Sequence, residues 1–194
     1  MNIRIVNAYG PQEYDDQFKK EQFWAYLDKE VLHSQNLGSG LMIFTDANAW
    51  MGPELLKNDV HSQNRNGKMF SEFMSRNPDL SILNCESFCE GLITRSIMAN
   101  GKRESSVIDF VIVCDKVLPF VDRFMIDENK VYALSNYSRK NRVQHSDHNS
   151  LITNLNMRYD LKKPERRIIY NFRDLTSMMK FKKKTSNKGL FTNI

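Results

Sequence analysis

Short apolar runs, punctuated by polar stretches rich in Gly, Pro and Asn, set the pattern of this chain. Ile3, Ile5 and Val6 open it and give way to Asn7-Ala8-Tyr9-Gly10-Pro11, which predicts a strand closed by a turn. Phe18, Phe23, Leu27, Val31 and Leu32 recur at about helical spacing across 15–35, with Asp15 as the expected N-cap, and Gly38-Ser39-Gly40 ends that helix. Leu41-Met42-Ile43-Phe44 is a continuous apolar run, as expected of a strand covered on both faces, and it stops at Thr45-Asp46-Ala47-Asn48. A polar loop over 57–67 leads to Met69, Phe70, Phe73 and Met74, a short amphipathic helix closed by Pro78. Leu80, Ile82 and Leu83 predict a strand, and 94–106 a polar loop or hairpin. Val107-Ile108-Asp109-Phe110-Val111-Ile112-Val113 is the most β-prone segment. A polar loop over 135–149 precedes Leu151, Ile152 and Leu155, the last expected strand. Strands alternating with helices of these lengths predict an α/β domain.

Composition narrows the class. The chain has 194 residues, 41% hydrophobic and 26% charged, which suits one soluble globular domain plus a tail. It holds no run of 18 apolar residues, so no membrane span is expected, and its first residues lack the apolar stretch of a signal peptide. Cys85, Cys89 and Cys114 are too few for a disulfide framework and read as structural thiols in a reducing, intracellular compartment. The net charge of +5 is uneven: residues 157–194 hold eleven Lys or Arg against three Asp or Glu, leaving 1–156 at −3. This divides the chain into a domain over 1–156 and a basic tail or linker over 157–194. Nucleic-acid phosphates are one partner for such a tail; plain solubilisation is the other reading.

Three polar signatures sit at or within expected strands: Asn7-x-Tyr9-Gly10-Pro11, Asp46-x-Asn48, and Ser146-Asp147-His148, with Asp109 inside the strongest strand. Ligand-handling groups in α/β folds gather at strand ends. Singly, each has an ordinary explanation. Asp-x-Asn is a common turn, a Tyr is often just packed, and a loop His is usually solvated. Asp109 is different, because a carboxylate among Val, Ile and Phe needs a partner. Together they fit hydrolysis of a phosphodiester. Asp46 could accept a proton from water, and Asn48 could donate to a phosphate oxygen. His148 could donate to developing charge, oriented by Asp109 or Asp147. A divalent cation normally completes such a site.

The ordered set Asn7-x-Tyr9-x-Pro11, Thr45-Asp46-x-Asn48-Ala49, Ser106-x-Ile108-Asp109-Phe110 and Ser146-Asp147-His148 resembles the endonuclease/exonuclease/phosphatase superfamily. Asn64-x-Asn66-Gly67-x-x-Phe70-x-x-Phe73, then Leu80-x-Ile82-Leu83-Asn84 and Thr94-Arg95, resembles its non-LTR retrotransposon endonucleases, and Arg166 to Phe181 resembles the link to a reverse transcriptase. The resemblance implies a four-layered α/β sandwich of two mixed sheets flanked by helices, cleaving DNA with Mg²⁺ or Mn²⁺. It implies Tyr9, Asp46, Asn48, Asp109 and His148 as catalytic residues and Asp147 as a metal ligand. Asn7, Asn48, Thr94, Arg95 and Ser146 would contact phosphate or DNA. It further implies a reverse transcriptase domain in a longer polypeptide, and a nuclear location if chromosomal DNA is the target.

Two departures bear on this. Thr45 stands where the family has Gly. The family's N-terminal Asn and metal-binding Glu belong upstream of the Tyr motif, where this chain has eight residues, and Glu13 follows the motif. The expectation is therefore the C-terminal two-thirds of such a domain, incomplete at the N-terminus, with an unpaired sheet edge and part of the metal site absent. Three functions remain open: a DNA endonuclease, working or inactivated by that loss; a non-catalytic nucleic-acid-binding remnant; and a phosphatase of the same superfamily.

Overall fold

The structure, a computed structural model, describes residues 1–53, 56, 61–131 and 146–157, and the backbone of 170–171. His145 and nearly all of the basic tail lie outside the described residues. In chain order the elements are β1 (Ile3–Tyr9), α1 (Gln17–Asn36), β2 (Gly40–Asp46), α2 (Arg65–Arg76), β3 (Leu80–Ile82), β4 (Cys89–Glu90), β5 (Arg95–Ala99), β6 (Lys102–Ser106), β7 (Asp109–Cys114), β8 (Val121–Asp127), β9 (Ser150–Leu155) and β10 (Tyr170–Asn171).

β1 and β2 are parallel and connected through α1, while β7 runs antiparallel to β2. The mixed five-stranded sheet has the order β10-β1-β2-β7-β3, and a mixed three-stranded sheet the order β4-β8-β9. The expected bare edge of β1 is paired only at its end, Ala8 with Tyr170 and Tyr9 with Asn171, and among the described residues 3–7 have no strand on that side. β5 and β6 form a separate hairpin. It turns at Asn100-Gly101, where both residues have positive φ (51° and 73°), the geometry that matches the twist of the flanking strands.

Alternation along the strands builds two cores. Val6, Leu41, Ile43, Phe110 and Ile112 face the helices, where Phe23, Trp24 and Leu27 of α1 meet Phe70 and Phe73 of α2. Trp24 stacks on Phe70 at 5.2 Å, and Phe70 meets Phe110 edge-on at 4.9 Å. Met42, Val111 and Val113 face the other way, onto Phe124 and Ile126 of the second sheet and onto Leu83 and Val117 from the connecting segments. Each such side chain contributes about 1.5–3 kcal/mol on leaving water.

The structure corrects several expectations. The N-cap of α1 is Asp16, whose carboxylate accepts from Lys19 N at 2.8 Å, because Asp15 is engaged by Gln12 N at 2.7 Å. Phe18 and Leu32 are exposed, since the buried stripe runs through Lys20, Phe23, Trp24, Leu27, Val31 and Ser34. β8 is an element that periodicity did not reveal: its two core residues, Phe124 and Ile126, sit beside charged Asp122 and Arg123, and a bulge near Val121 breaks its alternation.

Candidate active site

The site forms where β1 and β2 end and β7 begins. Register pairs Tyr9 with Asp46 and Asp46 with Asp109, so the three lie in one row across adjacent strands. Register partners share a face, and this is the face that meets the second sheet. His148, two residues ahead of β9, closes the row from that sheet. Its Nδ1 lies 2.9 Å and 3.1 Å from the two Asp109 carboxylate oxygens. Donor atoms of Asp46, Asp109 and His148 all come within 4.8 Å of one another.

Backbone and side-chain ties fix each member. Thr94, fully buried, accepts Ile108 N at 2.9 Å and Asp109 N at 3.1 Å on its hydroxyl, which pins the start of β7. Asn84 extends β3 with its amide, donating to Asp109 O and accepting from Val111 N, both at 3.1 Å. Asn149 N donates to Thr94 O at 2.7 Å and Asn149 Nδ2 to Ile93 O at 2.6 Å, which carries His148 up against β5. His148 N donates to Ser146 Oγ at 3.1 Å. Arg95 Nε donates to Asp147 Oδ2 at 2.8 Å, and Asp147 Oδ1 lies 4.0 Å from His148 Nε2. Tyr9 OH accepts from Gln12 Nε2 at 2.6 Å. Asn7 is exposed on the face of β1 that also carries Tyr9.

Electrostatics separate the roles. Burial, and after it the Asp109 charge, pushes the Asp46 carboxyl up to about 6, against the pull of His148, the Asn48 N–H and Arg95. The hydrogen bond to Asp109 holds His148 above its ordinary value; burial opposes this, and the charges of Asp109, Asp46 and Asp147 add to it. Burial also acts to raise Asp147, but its Arg95 hydrogen bond and the His148 and Arg95 charges outweigh that and hold it low. The result is a carboxyl with a raised affinity for its proton beside an imidazole whose hold on its own proton is strengthened.

The residues present suit a hard dication. Two carboxylates crowd together, one of them reluctant to ionise, and carboxylate oxygen is the donor such ions prefer. With His148 Nδ1 committed to Asp109, the oxygens of Asp46 and Asp109 are the natural ligands.

The structure thus gathers Tyr9, Asp46, Asn48, Asp109, Asp147 and His148 at one place. Thr94 serves β7 and Arg95 serves Asp147. Sequence reasoning gave no role to Gln12, Asn64, Asn66, Asn84 or Asn149, although Asn64-x-Asn66-Gly67 ahead of an apolar helix is itself a capping signal. A cavity of about 150 Å³ adjoins the row, lined by Asn48, Trp50, His61, Arg95 and Ile108 among others. Trp50 stacks on His61 at 4.6 Å.

No protein-family model and no curated protein matches the chain. Solved structures do. A 3′ phosphatase from Neisseria, bound to product DNA hairpin, aligns with a TM-score of 0.58 at 16% identity over 80% of this chain and 62% of that one. A 3′-5′ exonuclease from Neisseria meningitidis aligns at 0.56 and 17% over 79% and 61%. The endonuclease domain of TRAS1, a telomere-specific non-LTR retrotransposon, aligns at 0.47 and 23% over 70% and 52%. The chain therefore spans between half and two-thirds of the structures it matches. At these identities the two Neisseria enzymes speak to fold, and the chain has the fold of the endonuclease/exonuclease/phosphatase superfamily.

Proposed function

We propose that the chain is a divalent-cation-dependent phosphodiester hydrolase acting on DNA. The observation that carries this reading is the row Tyr9–Asp46–Asp109 capped by His148, with Asp46 shifted up to about 6 and His148 raised above its ordinary value by Asp109. Mg²⁺ or Mn²⁺, held by Asp46 and Asp109 with Asp147 offering Oδ1, would supply charge neutralisation at the phosphate. Asp46 takes the proton of the attacking water. The Asn48 side-chain amide has one N–H on Gly10 O at 3.1 Å, which leaves its second for a phosphate oxygen. His148 donates from Nε2 to a phosphoryl oxygen as charge builds there, oriented through Nδ1 by Asp109. Tyr9, its hydroxyl oriented by Gln12, stands at the end of the row for phosphate contact.

The motif likeness to retroelement endonucleases supports chromosomal DNA as target and a reverse transcriptase domain as neighbour in a longer polypeptide. A second reading, nucleic-acid binding without turnover, is favoured by the charge division between −3 over 1–156 and the basic tail. A substrate panel decides among the readings. With Mg²⁺, supercoiled plasmid should be nicked, while 3′-phosphorylated mononucleotides and inositol phosphates release no phosphate. Phosphate release from the monoesters with intact plasmid would transfer the chain to the phosphatase reading. Plasmid retention without cleavage would leave a binding protein.

A further inference from the structure

The Asn64-x-Asn66-Gly67 motif plays no part in the reaction above, yet it closes directly on Asn48. Asn48 adopts a left-handed backbone with φ 48°. Its carbonyl oxygen accepts from two side-chain amides, Asn64 Nδ2 and Asn66 Nδ2, each at 3.1 Å. Asn66 Nδ2 also donates to Pro11 O at 2.7 Å. One fully buried amide therefore ties the backbone after β1 to the backbone after β2, the two segments that follow Tyr9 and Asp46.

The other end of the clamp is rigid. Asn64 Oδ1 caps α2 by accepting Gly67 N at 2.7 Å, and it also accepts Trp50 N at 3.1 Å. A Cβ at Gly67 would sit 1.9 Å from Trp50 O, so only glycine lets the helix approach the 48–50 loop this closely. Phe70 and Phe73, further along the same helix, are fully buried in the core. Asn66 Oδ1 meanwhile is buried with no hydrogen-bond partner among the described residues. An unpaired buried acceptor is unfavourable, so an amide is a poor filler for that space, and its donors are the feature the site uses.

We propose that Asn64 and Asn66 are positioning residues for the reaction. They hold the Asn48 carbonyl, and so aim the Asn48 side-chain amide at the phosphodiester. They also place Asn48 N 3.3 Å from Asp46 Oδ1, where it donates to the general base. This inference rests on the hydrolase reading of the site.

Asn64→Asp separates the clamp from the helix cap. Aspartate caps a helix as well as asparagine does, so the bonds to Gly67 N and Trp50 N survive, but the donor to Asn48 is replaced by an oxygen. Steady-state kinetics on a fluorophore-labelled DNA duplex with Mg²⁺ would compare wild type, Asn64→Asp, Asn66→Ala, Asn48→Ala and the Asn48→Ala/Asn66→Ala double variant. Asn64→Asp and Asn66→Ala should lower kcat about tenfold to a hundredfold with KM unchanged, while the melting temperature of Asn64→Asp stays near wild type. The double variant should lose less than the product of the two single losses, because Asn66 acts partly through the Asn48 side chain and partly through the backbone N–H that alanine keeps. Unchanged kcat in both single variants, or losses that multiply in the double variant, would overturn the inference. If wild type hydrolyses no DNA, the hydrolase reading falls separately, and crystal structures of wild type and Asn64→Asp decide the clamp. Asn48 leaving the left-handed region in the variant upholds it; an unmoved Asn48 refutes it.

Discussion

Asp46 carries a cost that follows from its place in the row. An acid whose pKa rises on folding holds its proton more tightly in the folded state. Folding is then favoured at low pH, and that advantage is lost as pH climbs from 3.8 through about 6. Ionised Asp46 is thus destabilising at neutral pH. Asp46→Asn should stabilise the fold at pH 7.5 by about 2 kcal/mol, taking about 1.4 kcal/mol per pKa unit and discounting for partial exposure to water. The gain should vanish below pH 4, and hydrolysis should be lost throughout. Thermal melts of the two proteins across pH would show this, and an equal gain at every pH would contradict it. His148 runs the same way: its raised pKa contributes stability at acid pH that is lost as pH climbs through its folded value. The pH–rate profile should accordingly fall where His148 loses its proton.

At the scale of elements, the strand ends were legible and their supports were not. Leu41–Phe44 announces a buried strand by an unbroken apolar run and 107–113 by one broken only at Asp109, and the polar residues at these runs, Asp46, Asn48 and Asp109, belong to the candidate site. β8 was hidden because charged residues share its strand with Phe124 and Ile126. The resemblance implies that Thr94 contacts phosphate or DNA, and a hydroxyl in a polar segment carries no sign of the two N–H groups it accepts. Its position is what joins the hairpin β5–β6 to the first residue of β7. Thr94→Val keeps the shape and leaves those two N–H groups without an acceptor. It should destabilise the domain by about 1–3 kcal/mol per group left unpaired. Chemical denaturation measures this, and a neutral effect would show that Asp109 is positioned by other means.

For the whole molecule, the arrangement is two sheets meeting so that their rims complete one site, three members from the larger sheet and His148 from beside the smaller. The motif order along the chain made that meeting legible before the fold was described, since Asp109 and His148 lie far apart in sequence yet within 2.9 Å in space. The pairing of β10 with β1 was not legible, because two residues in a basic segment give no strand pattern. Among the described residues no helix is long and apolar enough to cross a membrane. The central claim is that this rim hydrolyses phosphodiesters with a divalent cation. The most direct test is plasmid nicking by the purified 194-residue chain with Mg²⁺ and with EDTA, beside His148→Ala. The account predicts nicking with Mg²⁺, none with EDTA, and a loss of about a hundredfold or more in the variant. Folded wild-type protein that leaves the plasmid intact, or a variant that nicks as fast as wild type, would contradict it.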